Sequence, residues 1–332
     1  MGSLAKPRIL FFNPVRHALA NFQKLSSVAQ TEVVASKSRA DFFEECKGKY
    51  KDVVAIYSTS SSYAVTGKFD KELIQNLPPS LKFICHNGAG YDQIDVAACS
   101  ERGIKVTNAP DPVTDATADL AVFLLLGALR NLNPAIESLR AGNWKKGLEF
   151  GHDPQGKTLG IIGMGRIGRA VKRRCEPFGL KTIYHNRNAL SDSEAAGAKY
   201  VSFDELLAKS DIISVHVPLN AHTRHLVGAK EIAKMKDGVM IVNTARGAVI
   251  DEAAMAEALE SGKIASVGLD VFEKEPEINE KLMKNSRAFM IPHLGTHTTE
   301  TLAKMESLAM ENARRGCLGE PLLTVVAEQL TN

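Results

Sequence analysis

The chain has 332 residues, which is too long for one ordinary core and about right for two domains. Apolar residues make up 44% and charged residues 24%, the balance of a soluble globular protein, and a formal net charge of only +3 provides no strongly basic face for nucleic acid. The five cysteines are scattered and include no Cys-x-x-Cys pair, so we expect neither a disulfide framework nor a zinc ribbon, and a reducing compartment fits this composition.

The N-terminal third of the chain alternates short apolar runs with polar helical stretches. Such alternation favours a parallel β-sheet with helices on both faces. The runs that predict strands are 9–12, 53–57, 83–85 and 104–106.

We expect no targeting segment at either end of the chain. The run 9–12 is too short for the apolar part of a signal peptide or for a membrane span. Lys6 stands where a myristoylation motif beginning at Gly2 needs Ser or Thr, and the C-terminal Leu-Thr-Asn is not the Ser-Lys-Leu of a peroxisomal signal. These features predict a cytoplasmic protein with no membrane partner.

The alternation breaks at 108–112, Asn-Ala-Pro-Asp-Pro, and the two prolines make this segment the predicted boundary between domains. A long apolar helix is predicted over 120–129. The segment 131–154 is polar, and we expect it to be irregular, although it contains the only tryptophan, Trp144.

A second series of strands begins at Thr158. Its six predicted members are each followed by a helical stretch, so the fold class is α/β with two doubly wound parallel sheets. In this architecture ligands bind outside the carboxyl ends of the strands. The predicted strands are 158–162, 180–184, 211–215, 239–242, 266–269 and 288–291.

A glycine-rich turn follows the first of these strands and opens a helix predicted over 169–178. Gly163 permits a tight turn, Gly165 lets the backbone approach a pyrophosphate, and Gly168 packs the helix against the strand. Glycine-rich turns are common, but the strand–turn–helix context predicts a dinucleotide-binding site.

The end of the next strand bears on which dinucleotide binds. An NAD site places a carboxylate there for the adenosine ribose, whereas this strand ends in Asn186 and Arg187. One interpretation is that Asn186 binds the ribose hydroxyls of NAD all the same. The other, which we favour, is that Asn186 removes the repulsion and Arg187 supplies positive charge for the 2′-phosphate of NADP.

Three further residues have the chemistry of an acid–base site. Arg246 follows an apolar strand and can bind a carboxylate through two hydrogen bonds, although an arginine near a turn often faces solvent. His293 follows the last strand, and a histidine held beside a carboxylate such as Glu275 can give a proton to a ketone. Spacing alone leaves their pairing open, since most histidines at strand ends are packed or solvated.

Two histidine pairs have spacings that occur in metal sites, His222 with His225 and His293 with His297. Neither pair has a clear third ligand. We therefore expect no metal site.

Five ordered motifs resemble the D-isomer-specific 2-hydroxyacid dehydrogenases, and the resemblance covers nearly the whole chain. Residues 115–119 and 186–187 are most similar to those of glyoxylate/hydroxypyruvate reductases, the fungal forms especially. The motifs are Gly-Met-Gly-Arg-Ile-Gly (163–168), Val-His-Val-Pro-Leu (215–219), Asn-Thr-Ala-Arg-Gly (243–247), Gly-Leu-Asp-Val-Phe-Glu-Lys-Glu-Pro (268–276) and Pro-His-Leu-Gly (292–295).

The resemblance implies a role for each candidate residue. Arg246 binds the keto acid, His293 is the general acid and base, and Glu275 is its partner. Backbone N–H groups of Ala89 and Gly90 bind the substrate carboxylate as an anion nest. The implied cofactor-binding residues are Thr117, Gly163, Gly165, Arg166, Ile167, Gly168, Asn186, Arg187, Val217, Pro218, Thr244, Ala245, Asp270 and Gly295.

The resemblance also implies the domain organisation. A Rossmann coenzyme domain, 109–298, is inserted into a flavodoxin-like substrate domain formed by 1–108 and 299–332, and a helix from Thr299 onward returns to the latter. The segment 131–151 is implied to be a dimerisation arm, so we expect a homodimer. His297 departs from the family, which usually has a small residue there.

The expected function is that of an oxidoreductase that transfers a hydride between NADP(H) or NAD(H) and a small 2-keto acid/D-2-hydroxy acid pair. Two alternatives stay open. One is a dinucleotide-sensing, co-repressor-like binding protein, although such proteins usually carry a long disordered tail and this sequence ends at Asn332. The other is a dehydrogenase of aryl 2-keto acids, of the D-mandelate type.

Overall fold

The computed structural model describes residues 6–330. Gly2, Thr331 and Asn332, on which two of the targeting expectations depend, lie outside the described residues. The chain divides into two compact units, Met1–Val113 with His297–Asn332, and Thr114–Thr296. The predicted domain boundaries, 108/109 and 298/299, lie five and two residues from these divisions.

Within the described residues, twelve strands form two sheets, and every strand pair is parallel. The predicted α/β class is confirmed. The strands are β1 (Arg8–Phe11), β2 (Gln30–Val33), β3 (Val53–Ser58), β4 (Phe83–His86), β5 (Lys105–Thr107), β6 (Thr158–Ile162), β7 (Lys181–His185), β8 (Lys199–Tyr200), β9 (Ile212–Val215), β10 (Val239–Asn243), β11 (Ile264–Leu269) and β12 (Ala288–Met290).

Helices connect the strands, as the right-handed crossovers of parallel sheets require. They are α1 (Leu19–Val28), α2 (Arg39–Lys47), α3 (Tyr63–Thr66), α4 (Lys71–Asn76), α5 (Val96–Glu101), α6 (Thr114–Leu129), α7 (Leu132–Arg140), α8 (Arg166–Cys175), α9 (Asp192–Ala195), α10 (Phe203–Lys209), α11 (Ala229–Lys234), α12 (Glu252–Ser261), α13 (Glu280–Lys284) and α14 (Thr299–Leu318).

In the first unit the sheet has the order β2-β1-β3-β4-β5, which is the flavodoxin-like order. The sequence does not predict β2, because its four residues are partly or fully exposed and form no apolar run. The last helix belongs to this unit as well. Ala309, Met310 and Ala313 of α14 are buried in one apolar cluster with Phe11 and Tyr57, so the end of the chain packs against its beginning.

A buried carboxylate on α14 holds the residues that precede the first helix. The residue before α1 is Ala18, which has no side chain to accept hydrogen bonds from the free N–H groups at the helix start. Glu306 binds the segment that leads into the helix, where it accepts hydrogen bonds from the backbone N–H groups of Arg16 at 3.1 Å, His17 at 2.8 Å and Ala18 at 2.8 Å. The two ends of the chain are thus joined by hydrogen bonds as well as by apolar packing.

In the second unit the sheet has the order β12-β11-β10-β9-β6-β7-β8. The chain builds β6 to β8 in one direction and β9 to β12 in the other, so the order reverses between β6 and β9. This is a doubly wound, Rossmann-type sheet, in which ligands bind outside the carboxyl ends of the strands at the reversal. The sequence does not predict β8, since both of its residues are exposed.

Three helices of this unit differ from expectation. Helix α6 begins at Thr114 rather than at residue 120, because residues 114–119 are small or polar and show no apolar run. Helix α8 begins at Arg166, directly after Gly165, rather than at residue 169. The expectation that 131–154 is irregular is wrong for α7, none of whose residues is buried, so no buried stripe marks it as a helix.

Among residues 6–330, no single helix is long and apolar enough to cross a membrane, while α6 and α7, bent by 71° where they meet, pass that test of length and composition only as a pair. The five cysteines are free thiols. Burial raises the pKa of Cys46, Cys85, Cys99 and Cys175 to about 12, so these four side chains act as small apolar groups.

Candidate active site

The glycine-rich turn lies between β6 and α8, at the point where the strand order of the second sheet reverses. Gly163 has a φ of +94°, and a Cβ there would lie 2.8 Å from Val217 Cγ1. A Cβ on Gly168 would lie 2.4 Å from the carbonyl oxygen of Gly163, so the turn and the helix can be this close only without side chains. A Cβ on Gly165 would meet nothing within 4 Å, which leaves open space at the start of α8.

Asn186 follows β7 and is hydrogen-bonded to the glycine-rich turn. Its Oδ1 accepts a hydrogen bond from the backbone N–H of Met164 at 2.7 Å. The amide oxygen is therefore occupied within the protein, and the Nδ2 group offers only donors to a ligand. The adjacent Arg187 is exposed and has no hydrogen bond or ion pair with any described residue.

The turn after β10 carries Thr244, Ala245 and Arg246. Its shape is set by Asn243, a buried residue whose Oδ1 accepts from the N–H of Ala245 at 3.0 Å and whose Nδ2 donates to the carbonyl of Arg246 at 2.9 Å. Thr244 is buried, and its hydroxyl has no partner among the described residues. A buried hydroxyl without a partner is costly unless a ligand or water binds it, so Thr244 fits a bound cofactor.

His293 and Glu275 form a close pair after β12 and β11. The Nδ1 atom of His293 lies 2.7 Å from Glu275 Oε2, and Glu275 Oε1 accepts from the N–H of Phe272 at 3.0 Å. His293 has a φ of +52°, and its backbone N–H donates to the carbonyl of Asp270 at 2.8 Å. The ring is thereby oriented with Nε2 as the nitrogen not facing Glu275.

The electrostatics around Glu275 favour its charged form. Burial by itself would raise the pKa of this carboxyl, but the hydrogen bonds from His293 and Phe272 and the positive charges of His293 and Arg246 outweigh it, so the pKa of Glu275 lies below its usual value. Arg246 is half-buried and donates from Nη1 to the carbonyl of Ala245 at 2.8 Å. The three predicted catalytic residues therefore interact within one unit.

Asp270, which follows β11, binds the backbone of the loop that carries His293. It is 1% exposed and accepts from the backbone N–H groups of Leu294 at 2.5 Å and Gly295 at 2.8 Å. Burial raises the pKa of this carboxyl above its usual value despite those bonds. A Cβ on Gly295 would lie 3.4 Å from Thr117 Oγ1 at the start of α6, so Thr117 belongs to the same group of residues.

The remaining predicted cofactor residues lie at the same edge of the sheet. Arg166 and Ile167 open α8, and Val217 and Pro218 follow β9 beside Gly163. Because parallel strands end at one edge of a sheet, all of these residues share that edge with Asn186 and Thr244.

Two residues that shape the pair of His293 and Glu275 are not predicted from the sequence. The buried carboxylate of Glu252 accepts from the N–H groups of Glu273 at 2.8 Å and Asn279 at 2.9 Å, which fixes the loop that carries Glu275. A Cβ on Gly247 would lie 1.9 Å from the carbonyl carbon of Phe272, so the loop that carries Glu275 can lie this close to residue 247 only because that residue is glycine. An acidic residue in a first helical turn is common, and nothing in the sequence marks Glu252.

Ala89 and Gly90 lie in the first unit, in the loop that follows β4. Their backbone N–H groups have no acceptor among the described residues. Free N–H groups in a glycine-rich loop fit the predicted anion nest.

The two histidine pairs do not form a metal site within the described residues, where no group of three or more His, Cys, Asp or Glu side chains could hold a metal ion. His225 instead lies 2.9 Å, through Nε2, from Glu273 Oε1, which also accepts from Arg224 at 2.7 Å. His222 and His297 are exposed.

Comparison with known proteins shows which family shares these features. Residues 122–295 match the family model described as D-isomer specific 2-hydroxyacid dehydrogenase, NAD binding domain. The chain is 51% identical over 320 residues to glyoxylate reductase 1 of Saccharomyces cerevisiae, covering 94% of this chain and 91% of that protein. It is 49% identical over 324 residues to 4-methyl-2-oxopentanoate reductase A of Aspergillus oryzae, covering 97% of this chain and 98% of that protein.

Three solved structures are similar over almost the full length. A glyoxylate reductase from Paecilomyes thermophila has a TM-score of 0.95 and 54% identity, covering 98% of this chain and 100% of that one. Holo D-mandelate dehydrogenase of Rhodotorula graminis has a TM-score of 0.92 and 31% identity, covering 98% of both chains. The NADPH-dependent glyoxylate/hydroxypyruvate reductase of Sinorhizobium meliloti, in complex with NADP and malonate, has a TM-score of 0.86 and 33% identity, covering 98% of both chains.

Proposed function

This chain belongs to the D-isomer specific 2-hydroxyacid dehydrogenases, and we propose that it reduces a small 2-keto acid of the glyoxylate/hydroxypyruvate type to the D-2-hydroxy acid, with NADPH preferred to NADH. The observation that carries the proposal is the 2.7 Å contact between His293 and Glu275, with the positive charge of Arg246 acting on that carboxylate. The similarity to two fungal glyoxylate reductases supports the choice of substrate class.

The residues that would hold the dinucleotide are those at the reversal of the second sheet. Gly163, Gly165 and Gly168 give the pyrophosphate access to the first N–H groups of α8, whose positive end favours an anion. Thr244 offers a hydroxyl, and Asn186 offers amide donors. When bound, the nicotinamide supplies the hydride for reduction of the keto carbon.

The protein's own residues bind the acid and move the proton. In the second unit, Arg246 binds the carboxylate and keto oxygen of the substrate through its guanidinium. In the first unit, the backbone N–H groups of Ala89 and Gly90 are donors for a substrate carboxylate. His293 gives a proton from Nε2 to the keto oxygen, which becomes the hydroxyl of the product. Glu275 stays ionised, holds Nδ1 and stabilises the charged ring before the transfer.

The preference for NADPH rests on the end of β7. A carboxylate at this position would accept hydrogen bonds from ribose hydroxyls and repel a 2′-phosphate, whereas Asn186 is neutral and its NH₂ group can only donate. Arg187 is exposed, with a guanidinium able to form charge-assisted bonds to phosphate oxygens. NADH then binds more weakly but still supports turnover.

A panel of keto acids assayed with both cofactors tests the proposal. Steady loss of NADPH absorbance with glyoxylate and hydroxypyruvate is the expected result, at a higher kcat/KM than with 4-methyl-2-oxopentanoate or phenylglyoxylate. The last two acids are included because relatives are named for such substrates. Tight NADPH binding without turnover of any acid would instead favour the dinucleotide-sensing function.

We also propose a cytoplasmic homodimer. Five large apolar side chains from α6 to residue 150 are exposed: Phe123 (49%), Ile136 (40%), Leu139 (58%), Trp144 (70%) and Phe150 (100%). Exposed apolar groups of this size mark interaction surfaces. In the family, the corresponding segment binds a second copy of the chain.

Light scattering at micromolar concentration tests the assembly and should give twice the chain mass of 36.0 kDa. Leu139→Glu/Trp144→Glu should give a monomer. Leu19→Glu is the matched control, because Leu19 of α1 is 57% exposed and lies in the other unit. A monomeric parent, or a dimer unaffected by the double change, would contradict the proposed surface.

A further inference from the structure

In the loop after β4, three consecutive backbone carbonyl groups accept hydrogen bonds from other residues of the protein. The carbonyl of Gly88 accepts from the N–H of Ala109 at 2.8 Å, and that of Ala89 accepts from Asn108 Nδ2 at 2.7 Å. The carbonyl of Gly90 lies 3.1 Å from His86 Nε2, which must carry the proton in that contact because a carbonyl only accepts.

These contacts decide where the N–H groups point. In a planar trans peptide the C=O of one residue and the N–H of the next face opposite ways. Holding the carbonyl of Gly88 therefore turns the N–H of Ala89 away from Ala109, and holding that of Ala89 turns the N–H of Gly90 away from Asn108. The two bound carbonyls belong to the same peptides as the two N–H groups predicted to bind the substrate carboxylate.

Asn108 is itself anchored by the C-terminal segment of the chain. Its N–H donates to the carbonyl of Thr324 at 3.1 Å, and its carbonyl accepts from Thr324 Oγ1 at 2.6 Å. Thr324 Oγ1 in turn accepts from Nδ2 of the fully buried Asn312 at 3.0 Å, and Asn312 Oδ1 accepts from the N–H of Leu323 at 2.8 Å. The chain of contacts runs from α14 through Thr324 and Asn108 to the carbonyl of Ala89.

A second contact joins the same segment to the residue that follows the loop. The hydroxyl of Tyr91 donates to Glu328 Oε2 at 2.9 Å. Gln329 binds the segment to the edge strand β5. Its Oε1 accepts from the N–H of Val106 at 2.8 Å, and its Nε2 donates to the carbonyl of Ile104 at 2.8 Å. The loop is thus tied to the C-terminal segment on both sides.

We propose that Asn108 is a positioning residue for substrate binding and that the segment 323–329 takes part in that function by fixing Asn108 and Tyr91. This inference rests on the proposed function, in which Ala89 and Gly90 bind the substrate carboxylate. Asn108 acts through the orientation of the Ala89–Gly90 peptide and does not itself contact substrate. Without the side-chain amide of Asn108, the Ala89–Gly90 peptide can rotate. The N–H group of Gly90 is then unavailable to the substrate carboxylate for most of the time.

The experiment compares three full-length variants in steady-state assays of glyoxylate reduction. Asn108→Ala removes the donor to Ala89 and should raise the KM for glyoxylate about tenfold, the effect of losing one hydrogen bond to a charged group. Thr324→Val removes the hydroxyl that holds Asn108 and should raise that KM about threefold. Thr324→Ser keeps the hydroxyl and should behave like the parent.

Two readouts separate positioning from general damage. The KM for NADPH should stay within about twofold of the parent in every variant, because the cofactor residues lie in the other unit. The Kd of oxamate, an unreactive analogue of a small 2-keto acid, should rise by the same factor as the KM for glyoxylate. If Asn108→Ala does not fold, Thr324→Val against Thr324→Ser still decides the question.

An unchanged glyoxylate KM and oxamate Kd in the folded variants, with an active parent, would overturn the role of Asn108 alone. Equal rises in the KM values for glyoxylate and NADPH would also overturn it, since a positioning residue of this loop acts on one of them. A parent that reduces none of the keto acids would instead overturn the proposed function.

Discussion

Asn186 Oδ1 accepts a hydrogen bond from the backbone N–H of Met164 at 2.7 Å, so the residue that takes the place of the NAD-specific carboxylate also anchors the glycine-rich turn. An aspartate there could make the same bond with one oxygen and still present the other to a ribose hydroxyl. The asparagine is neutral, and its NH₂ group donates, which suits an acceptor such as a phosphate oxygen. In the proposed function, the residue that anchors the turn is therefore also one that selects the cofactor.

Asn186→Asp/Arg187→Ala should reverse the cofactor preference. The substituted aspartate keeps the bond to Met164, restores repulsion of a 2′-phosphate, and the second change removes the positive charge. A charged hydrogen bond is worth about 1.5–3 kcal/mol, and Arg187 is exposed, so the kcat/KM ratio of NADPH to NADH should fall by at least about tenfold. Kinetics with each cofactor measure this ratio. A parent that prefers NADH, or a ratio that does not move, would show that these residues do not select the cofactor.

His293→Asn should lower kcat for glyoxylate reduction by about 10²–10⁴-fold, the usual worth of acid–base catalysis, because the amide cannot give up a proton. Asparagine is chosen because the backbone at this position has a φ of +52°, which asparagine tolerates better than alanine does. The Kd of NADPH, measured by fluorescence titration, should stay near that of the parent. Retained turnover would exclude His293 as the proton donor.

Glu275→Gln should move the pH–rate profile for reduction to lower pH. The neutral amide removes the negative charge that lies 2.7 Å from His293 Nδ1 and favours proton donation by the ring, so activity should fall at a lower pH than in the parent. The measurement is kcat/KM for glyoxylate between pH 5 and 9, with Glu273→Gln as a control on the same loop. Superimposable profiles of the parent and Glu275→Gln would contradict the role of the pair.

The same carboxylate should contribute to stability in a pH-dependent manner. Because the pKa of Glu275 in the folded protein lies below its ordinary value of 4.5, the ionised group stabilises the fold at pH above 4.5, and this contribution is lost as pH falls through the lowered value. Urea unfolding should therefore show a difference between the parent and Glu275→Gln at pH 7 that shrinks towards pH 3.5. A difference that grows on acidification would have the wrong sign.

Glu306→Ala should destabilise the first unit by about 1–3 kcal/mol, since it leaves the N–H groups of Arg16, His17 and Ala18 without their acceptor. Lys304→Ala is the control, because Lys304 is an exposed residue on the same helix. Chemical denaturation monitored by circular dichroism measures both variants. Equal midpoints for the two variants would show that these hydrogen bonds contribute nothing measurable.

The strands that carry apolar runs were predictable, and those without them were not. Strands β2 and β8 lie at sheet edges with exposed or half-buried residues, where pairing is decided by the neighbouring strand rather than by local sequence. The grouping of Arg246, Glu275 and His293 followed from parallel strands ending at one edge. Two other features could not be predicted: the hydrogen bond between Asn186 and Met164, and the hydrogen bonds that Glu252 accepts from the loop before Glu275 and from Asn279. Both depend on the exact course of loops, which no spacing rule provides.

The packing of α14 against β3 and β4 has a consequence for synthesis on the ribosome. The hydrogen bond between Glu306 and Arg16 spans 290 residues, so the first unit cannot acquire its last helix until the whole second unit has been translated. At about 5–20 residues per second this delay is roughly ten to forty seconds. Throughout that interval the nascent chain exposes the apolar surface of β3 and β4 that α14 later covers, which makes this surface the predicted binding site for chaperones during translation.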